Sequence, residues 1–135
     1  MTSATLSPSS ESPTAAPFRT RLTQAALLLN ALLHGTASVG MALGLLPHSA
    51  AEPHMGRQAG AAGLAGSFML AFVGRRLRRD PWLILMPLVF VACNLATTIY
   101  DVIATRDGVV APAIPEATFL LIYSVFVAGL WRRRG

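Results

Sequence analysis

The sequence of 135 residues has one cysteine, no lysine and few charged side chains. A single cysteine, Cys93, excludes an intramolecular disulfide, and its place inside an apolar run favours packing as a small hydrophobe. Charged residues make up 13% of the chain, whereas hydrophobic residues make up 53%. A soluble chain of this length cannot bury so much apolar surface, because its surface-to-volume ratio is high. The composition therefore predicts one compact domain embedded in a lipid bilayer.

The basic residues are all arginines, and they lie mainly at the edges of apolar runs. Nine of the eleven fall in three clusters, at residues 19–21, 75–79 and 132–134. A net charge of +5 would also suit a nucleic-acid partner. Clusters that flank apolar runs are typical of the positive-inside rule, in which short cytoplasmic loops retain arginine during insertion. We therefore expect a bilayer environment and no nucleic-acid partner.

Four apolar segments predict an all-α integral membrane protein, a four-helix transmembrane bundle. They cover residues 22–46, 57–74, 82–104 and 115–131, each able to span about 30 Å of hydrocarbon, although the second lies at the lower limit of length. Residues 1–17 are rich in Ser, Thr, Pro and Ala and predict a disordered cytoplasmic tail, and residues 18–135 form the transmembrane domain.

The arginine clusters also predict an orientation. The tail, the loop at residues 75–80 and the C-terminus lie inside, and the loops at residues 48–56 and 105–115 lie outside. Abundant Ala, Arg and Gly without Lys indicates a GC-rich bacterial genome, hence a plasma (inner) membrane. A cleaved signal peptide is the alternative for the first segment, but signal h-regions span only about 7 to 15 residues.

Polar residues within the apolar segments define a candidate intramembrane polar cluster. On the first segment Asn30, His34 and Ser38 share one helical face, and on the third Asn94 lies at a similar depth to His34. Buried polar groups in lipid need partners, so we expect a hydrogen bond between these two helices. Interhelical packing is the alternative to a functional site. The full candidate cluster is Asn30, His34, Asn94 and Tyr123.

Three charges near the outer ends of the segments form a second candidate cluster: Arg57, Asp101 and Glu116. They could form a buried ion network or bind an anionic or polar ligand, and the alternative is that each side chain snorkels separately to water. The histidines and the acid of the outer loop match no metal motif. The sequence therefore predicts no metal, no cofactor and no catalytic residue.

Small residues predict close helix packing. The second segment carries Gly56, Gly60, Gly63 and Ser67 at alternating steps of four and three residues, which is typical of small-xxx-small contacts. Gly40 and Gly44 repeat the pattern on the first segment, so we expect these two helices to cross tightly. A homodimer contact is the alternative.

The motifs GMALGLLP at residues 40–47 and GRQAGAAGLAG at residues 56–66, with the arginine-rich inner loop and short last segment, resemble the DoxX-like membrane superfamily. The resemblance covers roughly residues 20–132. It implies a four-helix membrane fold and a link to redox or stress-associated membrane complexes, but no catalytic or binding residues.

These observations favour a non-catalytic accessory or interaction protein whose partners are the bilayer and either a second copy or another membrane protein. A small dimeric transporter is one alternative, although Asp101 and Glu116 lie near a surface rather than the midplane. A redox or ligand-binding protein holding haem or quinone is another. Since His34 is the one histidine within the membrane, bis-histidine haem would require a homodimer.

Overall fold

The computed structural model describes residues 15–46, 53–105 and 113–133 of the chain. Within these ranges the structure is helical, without strands. Four α-helices follow one another: α1 (Ala15–Ala42), α2 (Pro53–Arg76), α3 (Leu85–Thr105) and α4 (Ala113–Trp131). A short 3-10 helix, Pro81–Ile84, leads directly into α3. The all-α prediction is confirmed, and the predicted tail overlaps the start of α1 by three residues.

Three of these helices are long and apolar enough to cross a membrane. The spans are Pro17–Ala42, Pro81–Ala104 and Ala113–Trp131, with mean hydropathies of 1.4, 2.0 and 1.8. Large apolar side chains point outward on them, including Leu32, Ile103 and Leu121, each more than 60% exposed. Soluble proteins rarely expose apolar surface on this scale. The chain is therefore a membrane protein by the length, apolarity and exposure of these helices.

Helix α1 ends earlier than residue 46 because Gly44 terminates it. Gly44 has a φ of +70°, a left-handed conformation that glycine adopts without steric cost. The Leu45 amide donates to the carbonyl of Gly40 at 2.9 Å, and the Gly44 amide donates to that of Met41 at 3.1 Å. This pair of bonds is a Schellman motif. Gly44 thus caps the helix, and among the described residues no other helix comes within 4 Å of its Cβ position, so the interhelical contact expected there is not observed.

The most extensive contact joins α1 to α2. A Cβ at Gly60 would lie 2.7 Å from the Ser38 carbonyl oxygen, and one at Gly63 would overlap the Ser38 hydroxyl. Ser67 Oγ donates to the Ala31 carbonyl oxygen at 2.6 Å. Gly56 is buried on the same face. Small residues on α2 therefore bring the two backbones close together.

On α1 the residues that meet α2 are not the predicted glycines. The Cβ position of Gly40 lies against Leu46, just beyond the helix, rather than against α2. Ser38, Ala42 and Gly35 make the contact instead, the last with its Cβ position 3.0 Å from Ser67 Oγ. The tight crossing is present, but a different face of α1 provides it.

Helix α4 packs against both α1 and α3. It buries Phe119, Tyr123, Phe126 and Gly129, which recur every three or four residues and so lie on one helical face. Pro87 is buried in the first turn of α3, where its missing amide hydrogen breaks no helical hydrogen bond. The core combines this face of α4 with buried residues of the other helices, including Leu27, Leu70, Val73 and Val91.

Contacts at one end of the molecule show that consecutive helices run antiparallel. Gln24 Nε2, near the start of α1, donates to the Gly74 carbonyl in the last turn of α2 at 2.9 Å. The rings of Trp82, before α3, and Trp131, at the end of α4, lie 6.3 Å apart. We call this the arginine end, because the described arginines flanking the helices gather here: Arg19, Arg21, Arg75, Arg76, Arg78, Arg79, Arg132 and Arg133.

Candidate functional site

The polar interior is centred on Asn30 of α1 and Tyr123 of α4, both fully buried. Asn30 Nδ2 donates to the Tyr123 hydroxyl oxygen at 3.1 Å. The Tyr123 ring stacks on Phe119, one turn earlier on α4, with centroids 6.2 Å apart. Apolar packing thus fixes the phenol, and the hydrogen bond joins α1 to α4.

His34 lies one turn further along α1 and continues the polar interior towards α3. Its Nδ1 lies 3.3 Å from the Asn30 carbonyl oxygen, and its Nε2 lies 3.1 Å from Asn94 Nδ2. A carbonyl only accepts and an amide nitrogen only donates, so Nδ1 carries the proton and Nε2 accepts from Asn94. The hydrogen bond expected between the first and third segments is present.

Phe90 of α3 holds the imidazole from the side, with ring centroids 5.3 Å apart and a tilt of 56°. The ring can reach this position because Gly66 of α2 leaves space, since a Cβ there would overlap the ring of Phe90. Gly66 is the last residue of the motif at residues 56–66, but it was not among the glycines predicted to pack against another helix. Its role depends on a tertiary contact with α3, which sequence spacing on α2 does not reveal.

These contacts form one polar chain, Tyr123–Asn30–His34–Asn94, that links α4, α1 and α3. Both ring nitrogens of His34 take part in it. A metal or haem iron at Nε2 would have to displace Asn94, because one lone pair cannot serve both. Among the described residues, moreover, no group of three or more His, Cys, Asp or Glu side chains could hold a metal ion. The geometry therefore favours helix positioning over ligation.

One atom of the polar chain has no partner. Asn30 Oδ1 is buried, and no described group donates a hydrogen bond to it. An unsatisfied buried acceptor costs about 1–3 kcal/mol, so the arrangement retains a destabilising feature at its centre. A small hydrogen-bond donor placed here would relieve that cost.

Other polar residues of α1 and α3 take different partners. Ser38 is buried against α2, on the side of α1 that faces Gly63. Thr97 donates to the Cys93 carbonyl of its own helix at 2.9 Å. Thr98 donates to Glu116 Oε2 at 3.1 Å and so joins α3 to α4. The periodicity placed these residues within the apolar segments, but it did not separate the faces that meet different helices.

The three outer charges do not form a buried ion network. Glu116 is half-buried and bonded to Thr98, whereas Arg57 and Asp101 are exposed side chains. Glu116 lies in the first turn of α4, where a carboxylate interacts favourably with the helix dipole. This helix-dipole interaction and the bond to Thr98 are sufficient to explain why a glutamate is present at residue 116. His48 and Glu52 of the outer loop lie outside the described residues.

A pocket of about 400 Å³ opens at the arginine end. Its polar lining includes Arg19, Arg21, Arg78 and Arg133, and its apolar lining includes Leu77, Phe126, Gly129 and Leu130. The arginine clusters were visible in the sequence, but their convergence on one cavity depends on the packing of α4 against α1. Sequence reasoning therefore missed this pocket.

Comparisons with protein-family models, with curated proteins and with solved structures find no match to this chain. The DoxX-like resemblance accordingly remains a prediction.

Proposed function

We propose that the chain is a non-catalytic membrane protein with four spans and both termini in the cytoplasm, acting as an accessory or interaction protein in a bacterial plasma membrane. Three helices meet the requirements for spanning. The arginine end supports the orientation, because clustered arginines mark cytoplasmic loops. Helix α2, the proposed fourth span, is not among these three.

Helix α2 is less apolar than the others, but it follows α1 along most of its length. Near one end Gly60 meets Ser38 and Ala42, and near the other Gly74 lies against Leu27. These contacts cover about 14 residues of α2, or roughly 21 Å at the helical rise. If α1 crosses the bilayer, α2 crosses beside it.

The interaction role depends on an exposed surface of α2, on the side that faces away from α1. Ala61, Ala65, Phe68 and Phe72 are exposed at spacings of four, three and four residues, so they form one seam, which we call the α2 seam. Phe68 is 75% exposed. Two alanines one turn apart allow another helix to approach closely. A second copy of the chain, pairing α2 with α2 about a twofold axis, would cover this seam.

Pairing through the α2 seam can be tested by adding bulk to it. We expect Ala61→Trp/Ala65→Trp to weaken the dimer at least about tenfold, because indole rings keep the backbones apart. The control is Ala92→Trp/Ala96→Trp, which makes the same change at the same spacing on an exposed face of α3. Single-molecule photobleaching of labelled protein in liposomes, at several protein-to-lipid ratios, measures the dimer fraction.

Two results would contradict the pairing. A wild-type protein that stays monomeric at every protein-to-lipid ratio has no such contact. Equal weakening by both pairs of substitutions would show that tryptophan acts through lipid packing and not through the α2 seam.

One observation favours a second candidate function, the binding of a small molecule within the membrane. Asn30 Oδ1 is a buried acceptor to which no described residue donates, next to the half-buried His34. A ligand with an N–H or O–H group could satisfy it. The interaction role is the better supported, because the other members of the polar chain already form hydrogen bonds with one another.

A further inference from the structure

The arginine pocket combines the two properties that a phospholipid presents, a charged group and an apolar body. Arg19, Arg21, Arg78 and Arg133 line it, and none of the described residues that line it is acidic. The partly exposed Pro81 and Leu130 contribute an apolar wall, whereas Leu77 and Phe126 are themselves buried. A cavity for a fully hydrated ion would not need this wall.

Two further features favour an anion. The first turn of α1 borders the pocket through Pro17 and contains no acidic residue. Helix N-termini carry a partial positive charge, so α1 adds to the field of the arginines. Arg19 Nη1 lies 3.0 Å from the Cβ position of Gly129, which places one guanidinium at the glycine-lined side of the cavity. Guanidinium groups bind phosphate oxygens in pairs, with directional hydrogen bonds.

The position of the pocket identifies the source of the anion. The Trp82–Trp131 pair belongs to the same end of the molecule, and tryptophans concentrate at the headgroup level of bilayers. Basic pockets between membrane helices on the cytoplasmic side are suited to anionic lipid headgroups. This assignment rests on the proposed function, because it requires the arginine end to lie at a membrane surface.

We propose that the arginine pocket binds the phosphate of an anionic phospholipid, with an acyl chain along the partly exposed wall formed by Pro81 and Leu130. The site is formed by the start of α1, the turn that follows α2 and the end of α4. Bound lipid therefore fixes the relative positions of three helices, and it stabilises the folded protein by mass action.

Native mass spectrometry of the detergent-purified protein tests the proposal with phosphatidylglycerol and, for comparison, phosphatidylcholine. We expect retained phosphatidylglycerol, bound about tenfold more weakly by Arg21→Gln/Arg133→Gln. The control pair, Arg79→Gln/Arg132→Gln, removes the same charge from exposed arginines outside the pocket lining and should leave binding unchanged. Equal loss in both pairs would overturn the proposal in favour of non-specific surface attraction.

Two more measurements address the space in the pocket and the source of the phosphate. Gly129→Leu keeps every charge but fills the cavity beside Arg19, so it should also weaken lipid binding; unchanged binding would overturn the site. Inorganic phosphate at millimolar concentration should not displace the lipid, and displacement would show a free-anion site instead. If the double variant Arg21→Gln/Arg133→Gln fails to fold, Arg21→Gln alone is compared with the control pair, because Arg21 is an exposed side chain whose replacement should not disturb folding. Photobleaching measures pairing through the α2 seam independently of lipid binding. Lipid binding and pairing can therefore each be disproved without the other.

Discussion

Replacing Gly60 with leucine is expected to separate α1 from α2 and to remove most of the folded protein. At this position a Cβ would lie 2.7 Å from the Ser38 carbonyl oxygen and 2.9 Å from the backbone nitrogen of Ala42. Both neighbours are backbone atoms of α1, so neither can rotate away. Overpacking a well-packed interior commonly costs about 1–3 kcal/mol, and a clash with backbone should exceed this range.

The free energy of unfolding is measured in mixed micelles. Size-exclusion chromatography checks that the protein is monodisperse and not aggregated. Ala62→Leu is the matched control, because it adds similar bulk two residues away at an exposed position of α2. We expect the control to unfold like the wild type. A Gly60→Leu protein as stable as this control would show that α1 and α2 do not pack as described.

Removing the Tyr123 hydroxyl is expected to destabilise the protein, and removing its partner as well is expected to restore much of the loss. Tyr123→Phe leaves the buried Asn30 amide without the acceptor that it uses now, at 3.1 Å. An unsatisfied buried donor costs about 1–3 kcal/mol. In the double variant Tyr123→Phe/Asn30→Leu neither polar group remains, and the unpartnered Oδ1 is removed too.

The free energies of wild type, both single variants and the double variant form a double-mutant cycle. Ser124→Ala, an exposed hydroxyl loss on the same helix, is the control and should change little. A double variant less stable than Tyr123→Phe alone would contradict the role assigned to this bond. The same proteins test the second candidate function, since a small molecule retained by wild type but lost from a stable double variant would indicate a ligand at Asn30.

Some features of the fold could be predicted from the sequence, such as the positions of most helices, and others could not, such as the end of α1. Apolar length and arginine placement predicted the bounds of α2, α3 and α4 to within a few residues, because these properties depend on local composition. Helix α1 begins at Ala15, seven residues before the predicted start of the first segment. The end of α1 was placed too late, since residues 45 and 46 are leucines and the stop depends on the left-handed backbone at Gly44. The same glycine was assigned to packing because spacing alone does not distinguish a cap from a contact.

The candidate site shows a similar division. Depth and polarity were enough to identify the members of the polar chain, because lipid makes unpaired polar groups costly. The partners of other polar residues did not follow from the sequence: Thr98 donates to Glu116, and Ser38 contacts α2. The arginine pocket was not anticipated, since it requires the ends of three helices to be brought together in space.

The central claim is that the chain crosses the membrane four times, with α2 beside α1 and the arginine end in the cytoplasm. Single cysteines at Ser49 and at Asp80, each in a Cys93→Ser background, can be labelled in intact cells with a membrane-impermeant maleimide. We expect Ser49→Cys to react from outside, whereas Asp80→Cys should react only after the membrane is permeabilised. Reaction of both cysteines from the same side would show that α2 does not cross, and would contradict this claim.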